Sequence, residues 1–203
     1  MFGGGKAKAV PPFDELFVDE APADALGPAQ LVVLAEKLGI SPDDRIMYVI
    51  AWRLECQTPC EISKAEWTTG LRNLGVESFA QLKNVLPALD RDLNASPQRF
   101  RQFYNFVFEW SRETPSVRSI GPDVACALWP MVFGSRQFKW LSQWMDFVTA
   151  QGKPVRRDVW KLTLDFLSED LTAYSAEGSW PTMMDDFVAS LREKGQLPPA
   201  PAA

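Results

Sequence analysis

Residues 31–52, LVVLAEKLGISPDDRIMYVIAW, contain two apolar runs separated by a helix-start signal. Leu31, Leu34 and Leu38 recur at the three- and four-residue spacing that places side chains on one face of an α-helix. The segment 41–44 then offers a serine cap, a proline for the first helical position and two acids for the positive end of the helix dipole. The stretch therefore predicts two consecutive helices, the second beginning at Pro42 with Ser41 as its cap.

Similar start and stop signals follow along the chain. Residues 63–66, SKAE, match a capping box, and Ser96 followed by Pro97 opens another predicted helix. Gly75 and Gly134 fall where helices are expected to stop. Because no segment shows a convincing strand alternation, the sequence predicts an all-α fold built of two packed helical subdomains.

The domain organisation follows from composition. A break rich in proline, serine and threonine at residues 113–121 divides the chain into two halves of similar size. Residues 1–12 are predicted to form a flexible leader that is too short to fold, and residues 195–203 a flexible tail. The predicted domain covers residues 13–194, with subdomains at about 28–113 and 121–194.

Composition excludes several classes of function. The chain has no histidine, which removes Ser-His-Asp and Cys-His catalysis and histidine-ligated zinc. Its three cysteines are too few for a disulfide scaffold or a structural zinc site, so we expect packed or half-exposed free thiols. No apolar run reaches the roughly 20 residues of a membrane span, and the start lacks a signal peptide. These features predict a cytoplasmic or nuclear protein without a membrane partner.

Charge is concentrated near the end of the chain. Residues 158–194 contain eight acids and three bases, an excess of five negative charges that equals the net charge of −5 for the whole chain. An acidic face on helices, without a catalytic signature beside it, is typical of a surface that docks a basic protein. The acidic balance argues against nucleic acid as a partner.

One segment partly matches a calcium-binding loop. Asp90, Asp92 and Asn94 occupy the first, third and fifth positions of that pattern. Ala95 then replaces the required glycine, and Arg101 stands where the bidentate glutamate is needed. We therefore expect no metal there, and predict that these acids end a helix.

Five runs carry a resemblance to a known family. They are IAWRLECQTPCEISKAEW, FYNFVFEW, ALWPMVF, RRDVWKLTLDF and GSWPTMMDDFV, in this order and at these spacings. Together they resemble the potentiating-neddylation domain of the defective-in-cullin-neddylation family, over about residues 31–193. The resemblance implies an all-helical fold like a pair of degenerate EF-hands without calcium. It also implies a scaffold that binds a cullin and the neddylation conjugating enzyme together, promoting transfer of the ubiquitin-like modifier to a cullin lysine.

The resemblance assigns a cullin-binding patch. It falls on Asp158, Ser179 and Asp185, with the neighbouring Asp186. Relatives commonly have alanine at the position of Ser179, and a hydroxyl adds little bulk, so we expect the patch to function. The alternative is that Asp158 and Asp185 are solvated acids at helix starts.

The resemblance also implies an apolar pocket for the acetylated N-terminal methionine of the conjugating enzyme. Its lining would be Met47, Ile50, Cys60, Ile62, Trp110, Leu128 and Met131. Ile62 and Trp110 stand where relatives have phenylalanine, and Leu128 where they have tyrosine. Trp110 is therefore larger than its counterpart and the other two are smaller, so these departures redistribute volume within one cavity. Without the resemblance, all seven residues would be interpreted as core.

The resulting prediction is a monomeric, non-catalytic scaffold that needs no cofactor. Its partners would be a cullin C-terminal domain and the conjugating enzyme with an acetylated N-terminus. The alternative is a helical adaptor that keeps the fold but has lost one of these partners. An enzyme with its own active site is disfavoured because the chain lacks a nucleophile and base constellation.

Overall fold

The computed structural model describes residues 9–175 and 178–199, and these residues are mostly helical. In these ranges the helices are α1 (Pro28–Leu38), α2 (Arg45–Arg53), α3 (Lys64–Leu74), α4 (Phe79–Asp92), α5 (Pro97–Trp110), α6 (Pro122–Phe133), α7 (Leu141–Gln151), α8 (Arg157–Phe166) and α9 (Thr182–Glu193). Short 3-10 helices cover Phe13–Leu16 and Leu171–Ala173. The predicted all-α fold class is confirmed.

Within the described ranges, four two-residue strands accompany the helices. They are β1 (Ala25–Leu26), β2 (Ile62–Ser63), β3 (Ser119–Ile120) and β4 (Val155–Arg156). They pair antiparallel as β1 with β2 and β3 with β4. The sequence predicted no strand, because two residues are too short to show an alternating pattern. The likeness to degenerate EF-hands remains a prediction.

Two compact units make up the chain, residues 1–115 and 116–203, and their junction lies within the break at residues 113–121. Residues 1–8 of the predicted leader, 200–203 of the predicted tail and Glu177 of the acidic segment lie outside the described residues. Pro11 and Leu197, which belong to the predicted leader and tail, are buried. No helix of the described part of the chain is long and apolar enough to cross a membrane.

The first unit is organised around the β1–β2 pair. Leu26 lies opposite Ile62, and both side chains are fully buried. β2 leads directly into α3, whose N-terminus has the predicted capping box between Ser63 and Glu66. Trp67 follows in the same helix, and its indole N–H donates to the backbone oxygen of Pro11 at 2.8 Å. The strand pair therefore fixes where α3 starts and which face of it enters the core.

Helix α2 begins later than the sequence predicted. Ser41 is not its cap, because residues 41–44 form a turn in which the Asp44 amide donates to the Ser41 carbonyl oxygen at 3.0 Å. Asp44 is the N-cap instead, and its carboxylate accepts from the Ile46 amide at 2.9 Å. The predicted starts at Ser63 and Ser96 and the predicted stops at Gly75 and Gly134 are confirmed.

The acids of the rejected calcium loop form ion pairs. Asp90 accepts from Arg45 at 2.6 Å, and Asp92 pairs with Arg53 and Arg99. α4 ends at Asp92, so the prediction that these acids end a helix is confirmed. Elsewhere too, the described residues contain no group of three or more acids or cysteines placed to hold a metal ion.

The second unit is organised around the β3–β4 pair and an aromatic core. Ile120 lies opposite Val155, and both side chains are buried. Trp129 of α6 stacks on Trp160 of α8, with ring centroids 5.5 Å apart. β4 leads directly into α8, so the strand pair and the tryptophan stack together fix the position of the first turn of α8.

Gly70 of α3 tests the packing of the first unit. A Cβ added there would lie 2.8 Å from the Leu54 Cα, and backbone cannot yield as a flexible side chain can. We expect Gly70→Ala to lower the free energy of unfolding by about 1–3 kcal/mol through overpacking. That loss would occur even though alanine favours a helix over glycine by about 1 kcal/mol. Urea denaturation measures the difference.

The matched control is Thr69→Ala, at an exposed position of the same helix. It should leave the free energy of unfolding unchanged or slightly higher, since only helix propensity changes. A Gly70→Ala protein as stable as its parent would contradict the close approach of α3 to Leu54.

Candidate functional site

The predicted acidic patch lies at the start of two helices that pack against each other. Asp158 is in the first turn of α8, and Asp185 is in the first turn of α9. Phe166 of α8 meets Phe187 of α9 edge to face, with ring centroids 5.9 Å apart. Acids near helix N-termini interact favourably with the positive end of the helix dipole, so both side chains suit the helix starts that they occupy.

Asp185 is held in place by a neighbouring tyrosine. Tyr174 is buried, and its hydroxyl donates to Asp185 Oδ1 at 2.7 Å. Arg192, two turns further along α9, donates to the backbone oxygen of Tyr174 at 2.8 Å. Asp185 is half-buried as a result, while the adjacent Asp186 is exposed. The carboxylate of Asp185 therefore has a fixed orientation before any partner arrives.

Burial raises the pKa of Tyr174, and the hydrogen bond to Asp185 raises it further. The tyrosine thus stays protonated and keeps donating to Asp185 across the neutral range. Sequence reasoning missed this residue because it lies in irregular chain outside the matched runs. Neither helical periodicity nor a capping signal marks it.

Ser179 is exposed and lies in the non-helical segment that leads into α9. The neighbouring Trp180 packs on Phe166, with ring centroids 5.6 Å apart, and lies beside the ring of Tyr174 at 6.3 Å. These aromatic contacts anchor the segment on which Ser179 sits. The structure therefore places Ser179, Asp185 and Asp186 within one locally connected region of the second unit.

The surroundings of Asp158 differ from the acidic face that the sequence predicted. Asp158 is exposed, and Arg156 Nε lies 3.7 Å from its Oδ1. The carboxylate borders a concavity of about 600 Å³ whose other lining residues are Arg118, Ser119, Arg156, Arg157 and Lys161. The charge count missed this because it began at Asp158, just after two arginines.

Four of the predicted pocket residues lie in the core of the first unit. Met47 and Ile50 come from α2, Ile62 from β2 and Trp110 from the end of α5, and all belong to one apolar cluster. None of the four is more than 5% exposed. The structure brings them together, and in this conformation their side chains are covered.

Cys60 sits at the edge of this cluster and is half-buried. Its amide donates to the Trp110 backbone oxygen at 3.1 Å, and its thiol contacts the same oxygen at 3.4 Å. The Trp110 indole donates to the Glu61 backbone oxygen at 3.3 Å, and its ring meets Tyr48 edge to face at 5.3 Å. These contacts fix the orientation of Trp110.

The other two predicted pocket residues belong to α6 in the second unit. Leu128 is 5% exposed, and Met131 is half-buried. Whether all seven side chains form one binding pocket remains a prediction. The described cysteines are free, with Cys56 buried and Cys60 and Cys126 half-buried, which confirms the prediction of packed or half-exposed thiols.

The family described as "Cullin binding" matches residues 81–190, more than half of the chain. The chain belongs to this cullin-binding family. The matched range includes α8, most of α9 and all four residues of the predicted patch, together with Tyr174. The resemblance inferred from the five sequence runs is therefore confirmed.

Relatives of the cullin-binding family align over most of the chain. Defective in cullin neddylation protein 1 of Caenorhabditis elegans is 28% identical, over 89% of this chain and 68% of the relative. Its namesake in Cryptococcus neoformans is 30% identical, over 79% of this chain and 67% of the relative. DCN1-like protein 4 of Homo sapiens is 29% identical, over 84% of this chain and 59% of the relative. The chain thus spans roughly two thirds of the length of these relatives.

Replacing Tyr174 by phenylalanine tests the support of Asp185. At neutral pH we expect Tyr174→Phe to lower the free energy of unfolding by about 1–2 kcal/mol, because Asp185 loses a donor. The raised pKa of Tyr174 stabilises the folded state fully below the unfolded value of about 10, and this contribution is lost as pH rises through the folded value. The variant should therefore lose less stability than the parent above pH about 10. Urea denaturation at a series of pH values measures both effects.

Asp186→Asn is the matched control, because Asp186 is the exposed neighbour of Asp185. It should leave the neutral-pH stability unchanged. Identical alkaline slopes for the parent and Tyr174→Phe would show that Tyr174 does not hold its proton more tightly when folded.

Proposed function

We propose that this protein is a scaffold-type co-ligase that binds a cullin and the acetylated neddylation conjugating enzyme. It would promote transfer of the ubiquitin-like modifier to the cullin. Support comes from membership of the cullin-binding family and from relatives named for defects in cullin neddylation. The structural observation that carries the proposal is the carboxylate of Asp185, fixed by Tyr174 at the start of α9.

A fixed carboxylate suits recognition of a cation on a partner. Asp185 and Tyr174 lose little conformational freedom on binding because their geometry is already set. If the bound partner covers Asp185, a cation of that partner would donate a charge-assisted hydrogen bond to the Asp185 carboxylate, shielded from water. Asp158 and Asp186 are exposed and would act at the rim, where charges influence the association rate more than the affinity.

The conjugating enzyme would bind at the seven predicted pocket residues through its acetylated methionine. An acetylated terminus is neutral, whereas a free ammonium in an apolar site would lose its hydration without a partner. In the first unit, Cys60 is the half-buried member and would contact an incoming group first. The four covered side chains of that unit would have to move or be approached past Cys60.

The burial of those side chains is also the one observation that favours the alternative function. An adaptor that keeps cullin binding but has lost the conjugating enzyme would have just such a covered apolar cluster. The two functions differ in a single property, the binding of an acetylated N-terminus.

The proposed scaffold does not itself carry the modifier. Burial raises the pKa of all three cysteine thiols, and nearby acids raise it further. A thiol held in its neutral form is a poor nucleophile for a thioester exchange. Acceleration would therefore arise from holding two partners together and orienting them.

Removing the two helix-start carboxylates tests the cullin surface. We expect Asp158→Ala with Asp185→Asn to weaken binding to a cullin C-terminal domain by about a hundredfold or more, because a buried partner cation loses its counterion. The same variant should lose its acceleration of cullin neddylation in a reconstituted system. The Asp185→Asn change keeps a side-chain oxygen for Tyr174, so circular dichroism should show an intact fold. Calorimetry measures the affinity.

The control variant is Glu169→Ala with Glu193→Gln, which removes two exposed charges from the same unit. It should bind the cullin about as well as the parent. Equal affinities for the patch variant and this control would mean that cullin binding does not depend on Asp158 and Asp185.

A peptide copying the N-terminus of the conjugating enzyme tests the pocket. We expect the acetylated peptide to bind about thirty- to a hundredfold more tightly than the free amine, a difference of about 2–3 kcal/mol. Met131→Ala should weaken that binding, whereas Met145→Ala, a half-buried position on α7, should not. Fluorescence anisotropy with both peptides measures the ratio. Absence of binding by either peptide, with cullin binding intact, would support the adaptor instead.

A further inference from the structure

The second unit contains a basic concavity, defined by Arg118, Ser119, Arg156, Arg157, Asp158 and Lys161, with a volume of about 600 Å³. Four of these six side chains are cationic, and one is a carboxylate. All four cationic residues are exposed. The concavity therefore has the opposite charge to the chain as a whole, whose net charge is −5.

The fold builds this concavity from the β3–β4 pair and the first turns of α8. Ser119 lies opposite Arg156, and the next pair, Ile120 and Val155, is buried. Because successive residues of a strand point to opposite faces, the buried pair turns Ser119 and Arg156 outward. Arg157 and Lys161 are four residues apart in α8 and so share one face of that helix.

The start of α8 adds to the positive character. Arg156 is its N-cap residue and makes no side-chain hydrogen bond to the first turn in the described structure. The amide groups of that turn present the positive end of the helix dipole. In the first unit, the corresponding strand β2 ends at Ser63, which does cap its helix.

This charge conflicts with docking a wholly basic partner at Asp158. A cation placed beside Asp158 would also lie beside the four cationic side chains, and like charges repel. The conflict disappears if the partner presents anionic groups next to its cation. The concavity is continuous with the proposed cullin-binding patch, since Asp158 belongs to both.

We propose that the basic concavity binds carboxylate groups of the same cullin whose cation pairs with Asp158. This inference rests on the proposed function and deepens it. The recognised surface of the cullin then has mixed charge, with an acidic segment seated against Arg118 and Lys161. Arginine and lysine pair readily with carboxylates, and arginine can do so through two parallel hydrogen bonds.

Two features favour a short acidic protein segment over an extended polyanion. The concavity is local, with room for a few side chains. Residues 162–194, which follow it in the chain, carry seven acids against two bases, so a long polyanion leaving the concavity would meet negative charge. A nucleic acid or an anionic membrane is therefore a poorer match than a segment with both signs of charge.

Charge reversal in the concavity distinguishes a cullin surface of mixed charge from one that is basic throughout, because the two predict opposite changes in cullin affinity. Arg118→Glu with Lys161→Glu should weaken binding to a cullin C-terminal domain by about tenfold or more, since two attractions become repulsions. If the cullin surface is basic throughout, the same variant should bind more tightly. The milder Arg118→Gln with Lys161→Gln should change affinity in the same direction by a smaller factor. Calorimetry at two salt concentrations measures all of them, with circular dichroism to check the fold.

The matched control is Lys83→Glu with Arg91→Glu, which makes the same change in net charge at exposed positions of α4. Weakening that is specific to the concavity supports the inference. Unchanged or tighter binding by the concavity variants, with the Asp158 and Asp185 variant still impaired, overturns it and leaves the proposed function standing. If the carboxylate variant also binds normally, cullin recognition does not use this surface, and both proposals fail.

Discussion

The pairing of two-residue strands is the constraint on which the rest of the structure depends. In each unit an antiparallel pair buries one apolar couple, Leu26 with Ile62 or Ile120 with Val155. β2 and β4 run directly into α3 and α8, so the register of each pair sets where the helix begins and which side chains its first turn presents. A shift by one residue would exchange the two faces of the strand. In the second unit that shift would bury the charged side chain of Arg156 and expose the apolar side chain of Val155, and both changes would destabilise the fold.

The two principal carboxylates of the acidic patch, Asp158 and Asp185, differ in burial and in the partners that they contact. Asp185 is half-buried and already accepts a hydrogen bond from Tyr174, so its direction is fixed and its remaining lone pairs face a defined region. Asp158 is exposed and close to Arg156, an arrangement that contributes little energy and is screened by salt. In the proposed binding of a cullin, specific recognition would therefore depend more on Asp185, and long-range attraction more on the exposed acids. The mixed charges around Asp158 also mean that the overall acidity of the chain does not describe its local surface.

Local signals predicted the fold well, and the site less well. The capping box at Ser63 and the glycine stop at Gly75 depend on chemistry within a few residues, which the sequence displays directly. Ser41 failed as a cap because Asp44 offered a competing carboxylate one turn later, and local pattern cannot rank two adjacent caps. Tyr174 reaches Asp185 across irregular chain, and Arg118 reaches the first turns of α8 only through strand pairing. Such contacts between residues distant in sequence are set by tertiary structure, so no periodic pattern in the sequence indicates them.

The covered apolar cluster constrains how the conjugating enzyme could be recognised. Met47, Ile50, Ile62 and Trp110 are no more than 5% exposed, so a ligand that contacts them requires a conformation in which they are uncovered. The apparent affinity is then reduced by the fraction of molecules in that conformation. Trp110 resists the change through its indole hydrogen bond to Glu61 and its packing on Tyr48, while the half-buried Cys60 has less contact to lose. An acetylated terminus enters such a site only if the apolar surface it buries offsets the cost of opening. A charged terminus would lose its hydration in addition to this cost, so under the proposed function the site would favour the acetylated form.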